Sequence, residues 1–147
     1  MPIHAPPGWD WGITLVVSGV YGALSLEGHN AARIEHVYTK QHHRKGVCSV
    51  DVTTELLADR PGSTEVAVIF NGEVKKRMVS VGKGTTLTTS TFEVTRPKLW
   101  WPVGYGDQVL YDLSVATPDE STSKKIGLRT MEVAVNRTTW VCQWSLW

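Results

Sequence analysis

Hydrophobic and polar residues alternate with a period of two along most of the chain. The alternation is clearest at 47–53, where Cys48, Val50 and Val52 fall on one face. Because successive side chains of a β-strand point to opposite faces, this pattern predicts strands, and helical spacing is almost absent. Further strands are predicted at 23–27, 34–39, 64–70, 74–81, 85–94, 110–115 and 126–135. About seven or eight short strands, with turn signals roughly every ten residues, predict an antiparallel all-β sandwich or barrel.

Turn residues punctuate these runs. Asn71-Gly72 is the strongest hairpin signal, because both central positions of a type I′ turn need a positive φ. Glycines at 82 and 84 mark the next turn, and a polar turn is expected at 118–123. The Cys, Trp and Cys spacing of antibody domains is missing. The pattern therefore favours a generic two-sheet sandwich.

Charge and hydropathy exclude several classes of partner. The 147 residues carry 15 basic and 14 acidic side chains, a net charge of +1. That balance argues against nucleic acid or an anionic membrane as a partner, since both require a concentrated basic surface. Two short basic runs, at 42–45 and 75–77, are interpreted as solvated hairpin ends. There is no apolar run of about 18 residues, so no membrane span is expected.

Cysteine and histidine residues give little indication of chemistry. Cys48 is interpreted as a small core residue, and a disulfide with Cys142 is left open. Four histidines are candidate metal ligands: His29, His36, His42 and His43. They lack partners at ligand spacing and are interpreted as strand and turn residues. We therefore expect no metal and no cofactor.

Two aromatic segments lie among prolines and glycines. In the first, Trp9 and Trp11 flank Asp10; indole faces can cover a pyranose, and a carboxylate can accept its hydroxyl hydrogen bonds. The alternative is that the indoles anchor a loop while Asp10 caps a turn. The second segment holds Trp100 and Trp101, which either bind sugar or close one end of the sandwich.

Four ordered motifs resemble the β-mannosidase branch of the family-2 glycoside hydrolases. Gly-Trp-Asp-Trp-Gly at 8–12, with the strand up to residue 27, resembles the end of that family's sugar-binding β-domain. Ala-Arg-Ile-Glu-His-Val at 32–37 is similar to the first strand of the following immunoglobulin-like domain. The aromatic motif at 99–111 resembles the end of that domain, and Ile-Gly-Leu-Arg-Thr-Met-Glu at 126–132 resembles the strand leading to the catalytic barrel.

The resemblance implies two parts and one function. Residues 1–28 would end the sugar-binding domain, and 29–135 would form an immunoglobulin-like antiparallel β-sandwich. The parent would be a retaining β-mannosidase whose two catalytic glutamates lie on a (β/α)8 barrel beyond this chain. Asp10 would hold the sugar, framed by Trp9 and Trp11, so the site is expected to take a β-mannoside or related sugar only with the barrel present. No residue of this chain is expected to be catalytic, and the chain alone is expected to be inactive.

The C-terminal residues depart from the family pattern. Segment 136–147 contains three tryptophans without the expected strand context and is interpreted as an atypical tail left by truncation. The start of the chain lacks the basic and apolar regions of a secretory signal, so the compartment stays open; the resemblance implies an exported or lysosomal parent. The leading hypothesis is a non-catalytic sandwich that orients the sugar-binding domain and the barrel. Its alternatives are a free-standing carbohydrate-binding module and a purely structural interaction domain.

Overall fold

The computed structural model describes residues 19–20, 22–24, 26, 28–136 and 139–143. Its described elements are nine antiparallel strands: β1 (Arg33–Arg44), β2 (Val47–Ala58), β3 (Gly62–Phe70), β4 (Glu73–Val81), β5 (Gly84–Thr95), β6 (Tyr111–Ala116), β7 (Ser121–Ile126), β8 (Glu132–Asn136) and β9 (Thr139–Gln143). One sheet has the order β1-β2-β5, the second has the order β4-β3-β6-β7, and β8 and β9 form a separate two-stranded sheet. The all-β class is confirmed.

The core lies between the first two of these sheets. Alternate residues of β2, from Cys48 to Ala58, are buried, as the period-two pattern requires. Phe92 of one sheet meets Phe70 of the other edge-to-face, with ring centroids 5.6 Å apart. Cys48 is a free, fully buried thiol, as expected for a core residue. The antiparallel sandwich is therefore confirmed as well.

Two-residue turns close the first two hairpins. Asn71 and Gly72, with φ of 49° and 84°, join β3 to β4 as predicted. Lys45 and Gly46, with φ of 41° and 80°, join β1 to β2 in the same way. The basic run at 42–45 thus lies at a hairpin end. The run at 75–77 lies within β4, beginning two residues after its start.

The C-terminal third differs from the expected pattern. The polar stretch at 118–123 was expected to be a turn, but β7 begins at Ser121 and pairs with β6 over its whole length. Residues 127–131 leave the sheet, whereas a continuous strand was expected at 126–135. The segment interpreted as an atypical tail contributes β9, which pairs with β8. Near the start, Ala23, Leu24 and Leu26 are exposed and lie outside any strand, contrary to the alternation at 23–27.

A lysine crosses between the sheets at each side of the sandwich. Lys75 of β4 donates a hydrogen bond to the Thr91 carbonyl on β5, and its ammonium lies 4.7 Å from the Phe92 ring centroid. Lys124 of β7 donates to the Val37 carbonyl on β1. These contacts place positive charge on the edge strands, a common device against edge-to-edge association.

Candidate functional site

The residues proposed for sugar contact, Trp9, Asp10 and Trp11, lie outside the described residues. Their role remains a prediction. The second aromatic segment is described completely and forms the aromatic loop, residues 96–110, between β5 and β6. With it lie two further parts of the sandwich: the incoming segment, residues 28–32, which precedes β1, and the outgoing segment, residues 127–131, which follows β7.

Trp100 joins the aromatic loop to the outgoing segment. Its backbone N–H donates to the Leu128 carbonyl at 3.1 Å. A Cβ added to Gly127 would lie 2.8 Å from both Cβ and Cγ of Trp100, so the tryptophan rests directly on the glycine backbone. Leu128 itself is fully buried in the core. This geometry supports the interpretation that the indole closes the end of the sandwich.

Trp101 is held by a cation and by its own loop. The guanidinium carbon of Arg129 lies 3.6 Å from the ring centroid, a close cation–π contact. The backbone N–H of Trp101 donates to the Asp107 carbonyl at 3.0 Å, and a Cβ added to Gly106 would lie 2.8 Å from the indole ring. Because the guanidinium covers a face of this ring, that face is not available to stack on a pyranose.

Gln41 of β1 holds the outgoing segment through its side-chain amide. Its Nε2 donates to the Gly127 carbonyl at 2.9 Å, and its Oε1 accepts from the Arg129 N–H at 3.0 Å. One side chain therefore satisfies two backbone groups that have no strand partner in the two sheets. Sequence reasoning missed Gln41, because the predicted strand ended at residue 39 and the bulge between Ile34 and His36 changes which residues of β1 face inward.

His43 extends this network. Its Nε2 lies 3.2 Å from Gln41 Oε1. Since that oxygen is an acceptor and already receives the Arg129 N–H, the contact requires His43 Nε2 to carry the proton. Burial, and then the positive charge of Arg129, lower the pKa of His43 below its ordinary value. The imidazole is therefore favoured in its neutral form.

Two carboxylates in the β6–β7 turn hold the incoming segment. Asp119 accepts from the Asn30 backbone N–H at 2.9 Å and from the Asn30 side-chain amide at 2.6 Å. Glu120 accepts from the Ile34 N–H, and its Oε1 lies 3.7 Å from His29 Nδ1. The hydrogen bonds from the Asn30 backbone and then its side chain lower the pKa of Asp119. These acidic residues serve to fix the chain.

Other carboxylates of the described part form ion pairs across the sheet surfaces. Glu65 lies 3.4 Å from Lys76, and Glu73 lies 3.3 Å from Lys75. Exposed pairs of this kind contribute about 0–1 kcal/mol.

Within the described ranges, no group of three or more His, Cys, Asp or Glu side chains could hold a metal ion. No helix in the part of the chain that the structure describes could cross a membrane.

The chain is similar in sequence to curated fungal proteins. The chain is 34% identical to β-mannosidase B of Emericella nidulans over 137 residues, which are 86% of this chain and 16% of that protein. It is 36% identical to β-mannosidase B of Aspergillus flavus over 138 residues, with the same coverage of 86% and 16%. The chain thus spans about a sixth of the length of the curated relatives that it matches.

Solved structures share the fold. A β-D-mannosidase from Dictyoglomus thermophilum matches with a TM-score of 0.72 and 24% identity, over 86% of this chain and 17% of that one. The exo-chitosanase of Amycolatopsis orientalis matches with a TM-score of 0.67 and 23% identity, over 74% of this chain and 14% of that one. The sequence profile described as glycosyl hydrolases family 2 matches residues 32–129, from the end of the incoming segment to Arg129. That span covers the sandwich and the aromatic loop, and the chain belongs to glycoside hydrolase family 2.

Proposed function

We propose that this chain is the non-catalytic β-sandwich of a β-mannosidase-type glycoside hydrolase and orients a sugar-binding domain against a catalytic barrel. The match of 86% of the chain to proteins named β-mannosidase B, of which it covers only 16%, carries the proposal. Most of such an enzyme then lies in other domains. The sandwich acts on catalysis through geometry, by fixing where the chain arrives and where it leaves.

The hydrogen bonds of the incoming and outgoing segments support this orienting role. Asp119 and Asn30 are 89 residues apart in sequence, and Gln41 and Arg129 are 88 apart. Contacts between residues so distant along the chain form only when the sandwich is complete. The two segments are therefore held against the same folded body, which is what a rigid spacer between two domains requires.

The expectation that this chain is not catalytic is supported by the contacts of four of its described carboxylates. Retaining glycosidases need two carboxyl groups about 5 Å apart on either side of the scissile bond. In the described ranges, Asp119 and Glu120 bind the incoming segment, and Glu65 and Glu73 pair with lysines. We therefore expect the chain alone not to hydrolyse a chromogenic β-mannoside. Turnover that is lost when a carboxylate of this chain is mutated would refute the proposal.

Asp10 is the residue proposed to contact the sugar, framed by Trp9 and Trp11. A carboxylate that accepts hydrogen bonds from two sugar hydroxyls contributes about 1.5–3 kcal/mol, or roughly ten- to a hundredfold in turnover. The test is a chimera in which this chain replaces the matched region of the Emericella nidulans enzyme. Asp10→Ala should lower kcat/KM by that factor and leave the melting temperature unchanged.

The control for this test is Asp59→Ala, which removes an exposed carboxylate in the β2–β3 turn and should change neither quantity. If Asp10→Ala instead lowers the melting temperature while activity per folded molecule is intact, Asp10 caps a turn and does not bind sugar. Titration of the isolated chain with mannose and manno-oligosaccharides, followed by tryptophan fluorescence, tests the carbohydrate-binding alternative. Saturable quenching would support that alternative over the orienting role.

A further inference from the structure

We infer that Gln41 is a positioning residue, which fixes the direction of the outgoing segment and, through it, the alignment of the domain that follows. The part of this inference that concerns catalysis rests on the function proposed above. The part that concerns the outgoing segment rests on contacts within this chain alone. Each part has its own measurement.

The position of Gln41 in β1 is the first observation. Inward positions of β1 begin with apolar residues, Ile34 and Val37, but continue with the polar Thr39, Gln41 and His43. A polar side chain pointing into a sandwich is unfavourable unless it is hydrogen-bonded. Here β1 is the edge strand of its sheet, and the backbone of the outgoing segment, rather than a strand of the opposite sheet, supplies the hydrogen bonds.

The geometry of the amide is the second observation. Gln41 donates to the Gly127 carbonyl and accepts from the Arg129 N–H, so its amide pairs with the segment as a neighbouring strand would. Because the amide donates one of these hydrogen bonds and accepts the other, its orientation is fixed. His43 gives Oε1 a second donor at 3.2 Å and limits rotation of the side chain further.

The third observation is that Leu128 and Arg129 are also held by a different element, the aromatic loop. Leu128 is buried, and its carbonyl accepts from the Trp100 N–H at 3.1 Å. The guanidinium of Arg129 lies against Trp101. Three consecutive residues are thus fixed from two sides, by β1 and by the aromatic loop. Removing the Gln41 amide removes the two hydrogen bonds from β1 and leaves the contacts with the aromatic loop and the core burial of Leu128, about which the segment can then shift.

The local effect is measured by amide hydrogen exchange in the 147-residue chain. Gln41→Leu should raise the exchange rate of the Arg129 amide roughly ten- to a hundredfold, because the Arg129 N–H loses its acceptor, Gln41 Oε1. Exchange at Leu113, in the middle of β6, should change little. Equal acceleration at both amides would indicate global destabilisation and overturn the inference.

Two variants make this measurement specific. Lys40→Leu replaces the adjacent exposed residue of the same strand and should leave Arg129 exchange unchanged. Gln41→Glu keeps an acceptor for the Arg129 N–H but loses the donor to Gly127, so it should restore most of the protection at Arg129. It also provides a readout if Gln41→Leu does not fold. Failure of Gln41→Glu to restore any protection would count against the amide geometry as the cause.

The catalytic effect is measured in the chimera described above. Gln41→Leu should reduce kcat/KM on a chromogenic β-mannoside by about tenfold, mainly by raising KM, because the sugar pocket is assembled from two domains. Gln41→Glu should recover part of the loss. If the chimera is active but Gln41→Leu loosens Arg129 without changing kcat/KM, the alignment role is refuted while the proposed function stands. An inactive parent chimera would refute the proposed function, and hydrogen exchange would still decide the local role.

Discussion

The close contact between Gly127 and Trp100 allows a quantitative prediction. In Gly127→Ala, the new Cβ would lie 2.8 Å from Cβ and Cγ of Trp100, and 3.1 Å from Cδ1. The first of these atoms is bonded directly to the backbone, which is itself held by the hydrogen bond to Leu128. Rotation of the indole therefore cannot relieve the clash, and the backbone must shift. Overpacking of this kind costs about 1–3 kcal/mol.

The matched control is Gly62→Ala at the start of β3. There the nearest atoms to a new Cβ, on Ala31 and Val81, are each 4.0 Å away, an ordinary contact distance. Replacing a glycine at such a position stabilises by about 0.4–1 kcal/mol, because the unfolded chain loses conformational freedom. The free energies of unfolding of the two variants, measured by urea denaturation with circular dichroism, should therefore differ by about 1.5–4 kcal/mol. If Gly127→Ala unfolds no more easily than Gly62→Ala, Trp100 is not packed on the outgoing segment as described.

A hairpin turn, an edge strand and the partly buried His43 each allow a further prediction. Gly72→Val should lower the free energy of unfolding by on the order of 1 kcal/mol or more, because φ is 84° at this position of the β3–β4 turn; unchanged urea midpoints would contradict this. Lys75→Met removes the cation from the edge of β5 and should increase self-association in light scattering, whereas Lys76→Met, on the outer face of β4, should not. The lowered pKa of His43 means that the unfolded chain binds this proton more readily, so stability should fall as pH drops below about 6.5. In His43→Gln that slope should become shallower, and an unchanged slope would exclude His43 as its source.

The sequence predicted the parts of the fold in which hydrophobicity and chain geometry act together. Alternation through β2 was easy to interpret because nearly every inward residue is apolar; Thr54 is the exception. The hairpin at Asn71-Gly72 was equally clear, since few residue pairs accept two consecutive positive φ angles. In both places the local preference and the final environment agree.

Strand β7 could not be predicted in this way. Its first five residues are polar and exposed, so hydrophobicity gives no signal for a strand. It forms because its backbone pairs with β6, and Lys124 also reaches the β1 carbonyl of Val37. Within the strand predicted at 126–135, residues 127–131 are not in a strand, for the converse reason, whereas residues 132–135 belong to β8. Its alternation is that of a strand, but the backbone of Gly127 and Arg129 bonds to a side chain, Gln41, instead of a sheet.

The roles of Trp100 and Trp101 could likewise be predicted only in part. The choice between a sugar platform and a structural plug at Trp100 and Trp101 was open from composition, because indoles serve both roles. Contacts from residues more than twenty positions away in sequence, Gly127 and Arg129, favour the plug. Hydrophobic patterns do not report such contacts. Gln41 gave no such indication either, because it lies beyond the strand predicted at 34–39.

Strand β1 connects the two segments that an orienting domain has to control. At its beginning, Ile34 donates to Glu120 in the β6–β7 turn, beside the Asp119 contact with the incoming segment. Seven residues further along the same strand, Gln41 holds the outgoing segment. At a rise of about 3.3 Å per residue, seven residues of strand span at most roughly 23 Å, and the β-bulge between Ile34 and His36 shortens this distance. Because β1 pairs with the central strand β2 on both sides of this bulge, that separation is set by the sheet rather than by a flexible linker. A change that loosens β1 should therefore release both segments together, whereas a change in the aromatic loop should release only the outgoing one.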